Sequence, residues 1–204
     1  MNRQKFLRTL QSLSGWRERA FILALAERAL PNAALYFENL DTSDLEKSIE
    51  LNSLFDKIWQ HLIFEPNEDA IIECLDEVVE LRMLADDSEN YGALPTADCL
   101  EIVEQALLSG VNEEKKRASD ASQLSIETIT QFIEFSEGEG LDENSLVRLF
   151  DKHPLIEREF SFQAELNDLL RAATHPGTEV IKEFRELAQD EGLSNIGISL
   201  NDSD

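Results

Sequence analysis

Apolar residues recur every three to four positions along almost the whole chain, and this single period constrains the fold more than any other feature. Phe6, Leu7, Leu10 and Leu13 share one face of a first helix that stops near Gly15. Ser14 is placed to cap a second helix carrying Trp16, Phe21, Ile22, Leu25 and Leu30. Pro31 lacks the N–H that an interior helical position needs, so it is expected to interrupt the pattern and open a short third helix with Leu35, Tyr36 and Leu40. Ser43-Asp44-Leu45-Glu46 matches a capping box, and the long helix after it turns Leu51, Leu54, Phe55, Ile58, Trp59 and Leu62 inward. Asn67 is placed to cap a helix with Ile71, Leu75, Val78 and Val79 inside and Glu68, Asp69, Glu73, Asp76, Glu77 and Glu80 outside. Further helices are predicted at about 95–110, 113–135, 144–150, 155–173 and 178–190. Eight glycines and five prolines in 204 residues leave little punctuation for a many-stranded fold.

The expected architecture is therefore all-α: a single compact bundle of about eight to ten helices, with residues 1–204 forming one domain. The exception is the C-terminus, where Ile196, Ile198 and Leu200 alternate with small or polar residues in a strand period. Residues 194–204 are read as an extended or disordered tail. It is either pinned on the core by Ile196 and Ile198 or added to another chain as a strand.

Charge narrows the function classes. The formal net charge is −24, yet residues 1–30 hold six bases (Arg3, Lys5, Arg8, Arg17, Arg19, Arg28) and two acids (Glu18, Glu27), a net +4. The remainder holds 12 bases and 40 acids, a net −28. Phosphate backbones bind through Lys and Arg, so a surface this acidic argues against direct DNA or RNA binding. The N-terminal bases are expected to dock on the protein's own acidic helices. The longest uninterrupted apolar run, Ala20–Ala26, is seven residues, well short of the roughly 20 that span a bilayer. The N-terminus also lacks a signal-peptide pattern, so the expectation is a cytoplasmic protein without membrane contact. Cys74 and Cys99 stand 25 residues apart at apolar positions and read as buried side chains.

A helical bundle rich in acids suggests a carboxylate-bridged di-metal centre, which uses Glu-x-x-His pairs. Ile58, Phe150 and Ala172 stand three residues before His61, His153 and His175, so the pairs are missing. HExxH, an EF-hand loop, a P-loop and GxGxxG are also missing, and no metal, cofactor or catalytic residue is predicted. Two polar clusters remain. Glu27-Arg28-Ala29-Leu30-Pro31-Asn32 places a charge pair and an amide at the expected helix break. Tyr91-Gly92-Ala93-Leu94-Pro95-Thr96-Ala97-Asp98 enters another helix, with Asp98 expected in its first turn, where the macrodipole favours an anion. Glu27, Arg28, Asn32, Tyr91, Asp98 and Asn195 are the candidate ligand-binding residues. The competing structural roles are an internal ion pair for Arg28, a cap from Asn32 and a loop anchor from Tyr91. Neither cluster sets a nucleophile beside a base.

With these residues in view, the chain resembles the YjaG-like family, a domain-of-unknown-function family. The matching features are Trp16 with Phe21, Leu25-x-Glu27-Arg28-x-x-Pro31-Asn32, Ile58-Trp59, Tyr91-Gly92-x-x-Pro95-x-x-Asp98 and Ser194-Asn195-Ile196-Gly197-Ile198, across roughly residues 5–198. The resemblance implies a compact, all-helical, cytoplasmic protein of bacterial type. It brings no assigned activity and no catalytic residues.

The leading expectation is a non-enzymatic interaction or regulatory protein with a basic protein partner, in which a homodimer is also considered. The alternative is an enzyme or small-ligand binder with a pocket around Glu27, Arg28, Asn32, Tyr91 and Asp98. A further alternative is an acidic mimic of DNA that binds a basic protein. The readings part on a spatial question: whether the candidates converge on one pocket or disperse into caps and internal ion pairs.

Overall fold

The structure is a computed structural model that describes residues 3–40, 45–64, 68–86, 90–112 and 114–199. Among them the helices are α1 (Arg3–Leu10), α2 (Trp16–Asn39), α3 (Leu45–Ile63), α4 (Glu68–Asp86), α5 (Ala93–Leu108), α6 (Arg117–Glu137), α7 (Glu143–Phe150), α8 (Pro154–Ala172) and α9 (Thr178–Gln189). A 3-10 turn at Asp190–Gly192 follows. The all-α bundle expected from the period is what forms.

α2 is its axis. Every residue from Ala20 to Leu30 is buried, and a helix that is apolar all round belongs inside a core. It packs against α3, α5, α6, α8 and α9. By length and composition it would cross a membrane, yet 94% of its apolar window is buried within the bundle.

That burial overturns the expected break at Pro31. The helix continues through Pro31 to Asn39, merging the predicted second and third helices. A proline inside a helix costs about 3 kcal/mol. Each fully buried large apolar side chain contributes about 1.5–3 kcal/mol, and the segment around Pro31 buries Leu30, Tyr36 and Phe37. Tertiary packing wins. The predicted Ser14 cap is also corrected: Gly15 is the N-cap residue, at φ 59°, and makes no side-chain cap bond. The reversal between α1 and α2 needs a positive φ that glycine adopts without a Cβ clash.

The inward faces follow the period with one rotation. In α4 the buried stripe is Ile71, Cys74, Val78, Leu81 and Ala85, whereas Val79 is exposed and Leu75 half-buried. α4 lies against both α3 and α5, so its face is set by two neighbours and turns toward Cys74 and Leu81. Cys99 is buried too. The acidic row Glu68, Asp69, Glu73, Asp76, Glu77 and Glu80 is exposed as expected. Ser43 and Asp44 of the predicted capping box, and Asn67, lie outside the described residues.

Three of the N-terminal bases, Arg3, Arg17 and Arg28, dock on α8 and not on the acidic row of α4. Arg17 donates through Nε to the Leu170 carbonyl (2.9 Å) and through Nη2 to the Ala173 carbonyl (2.6 Å), satisfying the end of α8. Arg3 lies over the Phe160 ring, 5.6 Å from its centroid. Arg28 alone of these three meets carboxylates.

The C-terminal segment is pinned on the core. Ile196 is buried, and Ile198 packs with it against Ile126, Ile129 and Ile133 of α6 and Ile156 of α8. Alternation alone does not disclose that this segment folds back on itself. The Ser194 N–H donates to the Ile198 carbonyl (2.8 Å), Leu193 bridges Ser199, and Gly197 makes the bend at φ +86°.

Candidate functional site

Residues 27–32 of α2 present side chains to three different surroundings. The Glu27 carboxylate, 2% exposed, faces α3 and α9. Its Oε2 accepts from Trp59 Nε1 (2.7 Å), and its Oε1 accepts from Arg185 Nε (2.9 Å) and Gln189 Nε2 (2.8 Å). The same two residues and Pro31 line a shallow pocket of about 470 Å³ beside it.

Arg28 turns instead toward α8. Its Nε donates to Glu159 Oε2 (3.0 Å), its Nη2 meets Asp190 Oδ2 (3.1 Å), and the guanidinium stacks on Phe162 at 4.6 Å. Glu159 is 1% exposed and has further donors: the Ser125 hydroxyl (2.8 Å) and Gln163 Nε2 (2.9 Å) both reach Oε1. Gln163 in turn accepts from the Ser122 hydroxyl (2.6 Å). A buried charge pair is tolerable only when its remaining bonds are made, and here they are made.

Asn32 faces a third way, toward the C-terminal turn. Its Nδ2 donates to Asn195 Oδ1 (2.8 Å), while the Asn195 backbone N–H donates to the Arg28 carbonyl (3.1 Å). Arg158 steadies the turn by donating to the Ser194 and Asn195 carbonyls. Pro31 has no N–H for the Glu27 carbonyl, so the backbone of α2 departs from an ordinary ladder beside the point where the tail attaches.

A pocket of about 360 Å³ opens here, walled by Asn32, Tyr36, Tyr91, Pro95, Ile196 and Ile198. The Tyr91 ring stacks on Phe135, with centroids 4.1 Å apart. Burial raises the pKa of its phenol, and the Asp98 charge raises it further.

Asp98 corrects an expectation. α5 begins at Ala93 and has no acid in its first turn, so Asp98 lies a turn further in. Burial raises its pKa to about 6; the Thr128 hydroxyl, which donates to Oδ2 (2.7 Å), offsets part of that, while Glu101 and Glu127 add to it. Desolvation, not the helix dipole, governs this group.

Of the six candidates, three come together: Asn32 and Tyr91 line one pocket, and Asn195 is bonded to Asn32. Asp98 neighbours them. Glu27 and Arg28 are held in internal ion pairs on other sides of α2. Sequence reasoning missed the partners Trp59, Glu159, Gln163, Arg185, Gln189 and Asp190. One signal was present: Glu159 and Gln163 occupy inward positions on α8 between Ile156 and Leu166, where a helix of this period carries apolar residues.

Comparison with known proteins places the whole chain. The profile of a family described as "Protein of unknown function (DUF416)" matches residues 5–199. "Uncharacterized protein YjaG" of Escherichia coli (strain K12) is 29% identical over 195 residues, covering 93% of each chain. An "Uncharacterized protein" of Haemophilus influenzae is 25% identical over 195 residues, covering 94% of this chain and 95% of its own length. The crystal structure of a DUF416 family protein from Shewanella baltica OS155 superposes with a TM-score of 0.81 at 25% identity, covering 96% of this chain and 98% of the other.

Proposed function

The chain belongs to the DUF416 family, and from that premise we propose that it is a non-enzymatic interaction protein whose outer α4 face receives a basic amphipathic helix of a partner protein. The observation that carries this reading is an apolar stripe in an acidic surround. Ile72, Val79 and Met83 are 46%, 46% and 62% exposed. Their spacing of seven and four residues sets them on one side of α4.

Carboxylates border the stripe. Lys57 pairs with Glu73 and Glu77 on the α3 side, and Arg82 pairs with Glu101 and Glu104 on the α5 side. Asp76 and Glu80 have no cation among the described residues. A second copy docked through α4 would set these acids against their own kind, whereas a helix with one apolar and one basic face complements both features. The charged candidates Glu27 and Arg28, by contrast, are consumed inside the molecule.

The test is a fluorescence-anisotropy titration with a lysine–leucine amphipathic helical peptide. Binding should weaken as salt rises. The double substitution Val79→Ser with Met83→Ser should weaken it about tenfold, roughly 1.4 kcal/mol of lost apolar contact. Equal binding to wild type and double variant contradicts the proposal. Equal binding of a scrambled peptide would reduce the interaction to charge alone, the behaviour of a DNA mimic.

A further inference from the structure

The pocket walled by Asn32 and Tyr91 holds polar atoms that the fold leaves unsatisfied. Asn32, 4% exposed, gives one amide hydrogen to Asn195 and keeps Oδ1 without a partner. Asn195, 1% exposed, accepts that bond and keeps Nδ2 without a partner. The buried Tyr91 hydroxyl has none either. Each such group costs about 1–3 kcal/mol, and native interiors seldom keep several side by side.

The chemistry of the missing partner follows. Exchanging O and N in both amides preserves the bond between them and still leaves one acceptor and one donor. Of the pair only Asn32 lines the pocket, so it offers one unpaired acceptor, or one donor when O and N are exchanged. The Tyr91 hydroxyl supplies a second group of either sense, so the two residues together match an adjacent donor and acceptor. The remaining wall is apolar and partly flat over Leu35, Tyr36, Pro95, Ile196 and Ile198, and polar at Asn39 and Asn90. No charged side chain lines it among the described residues. Asp98 lies nearby and the chain carries −24, so an anion is disfavoured. The volume suits a small molecule.

We propose that this pocket binds a small uncharged molecule that presents an amide edge, the chemistry shared by nucleobases and carboxamides. Asn32 and Tyr91 contact the edge, Asn195 holds Asn32 in place, and the flat apolar wall packs against the ring or stem. This site is independent of the α4 face, and either can fail without the other.

The experiment is a set of NMR and calorimetric titrations of the full chain with uracil, uridine, uridine monophosphate and nicotinamide. At least one neutral probe should bind with a Kd below about 1 mM and shift Ile196, Ile198 and Tyr36 resonances. Uracil or uridine without nicotinamide assigns the nucleobase class, and the converse assigns the carboxamide class. The monophosphate should bind at least about tenfold more weakly than uridine wherever uridine binds. Tyr91→Phe removes only a hydroxyl that has no internal bond to lose, so the variant folds, and it should weaken binding about tenfold. The proposal is overturned if no neutral probe binds up to about 10 mM, if the shifts map elsewhere, or if Tyr91→Phe binds as wild type does.

Discussion

Within six residues, α2 passes two polar neighbourhoods that are equally buried and differently finished. Glu27 and Arg28 each have two or more side-chain partners. Around Asn32, Asn195 and Tyr91 three polar atoms have none. Burial alone therefore does not separate a structural polar cluster from a receptive one. Completeness does: the first neighbourhood is closed by the fold, and the second is left for something else to close.

The sharpest way to break this contrast is to open the closed region. Arg28→Ala strands Glu159 in the interior without its cation, and the expected loss is about 3–5 kcal/mol of unfolding free energy. Denaturant melts measure it, and a loss under about 1 kcal/mol would place Arg28 outside the structural hub. Glu27→Gln keeps the shape but removes the charge and turns an amide NH₂ toward one of its present donors. A loss of about 2 kcal/mol is expected in the same melts.

Asp98 sharpens the other side. Its folded pKa of about 6 lies above the 3.8 of an unperturbed carboxyl, so the folded state binds the proton more tightly. Stability from this group accordingly falls as pH rises from about 4 to about 6, and the full penalty stands above that window. Asp98→Asn should flatten this part of the stability–pH curve and raise stability at pH 7 by about 1–2 kcal/mol, read from melts across the window. An unaltered slope would remove desolvation as the controlling influence.

The fold was legible because the long helices write their buried stripes in their own sequence: Leu51, Leu54, Phe55, Ile58, Trp59 and Leu62 of α3 are all inside, as their spacing requires. Pro31 was misread because its penalty is local and the compensating burial is tertiary. The Val79 position was misread because two neighbouring helices, not one, chose the face of α4. The polar candidates were legible as oddities in apolar surroundings, but their partners were not. Arg28 meets Glu159 across 131 positions and Asn32 meets Asn195 across 163, separations that no spacing rule reports. The tail's alternation disclosed that Ile196 and Ile198 anchor it, while the turn through Gly197 depends on backbone bonds that side-chain patterns do not encode.

The distinction between a closed and an open polar cluster is tested most directly by the unfolding free energy of Tyr91→Phe in the absence of ligand. Because it removes a buried hydroxyl with no partner, the variant should be at least as stable as wild type, by up to about 1–3 kcal/mol, and keep the same denaturant m-value. A loss of about 2 kcal/mol or more would mean that the hydroxyl is already bonded in the folded protein, and that the two neighbourhoods of α2 are of one kind.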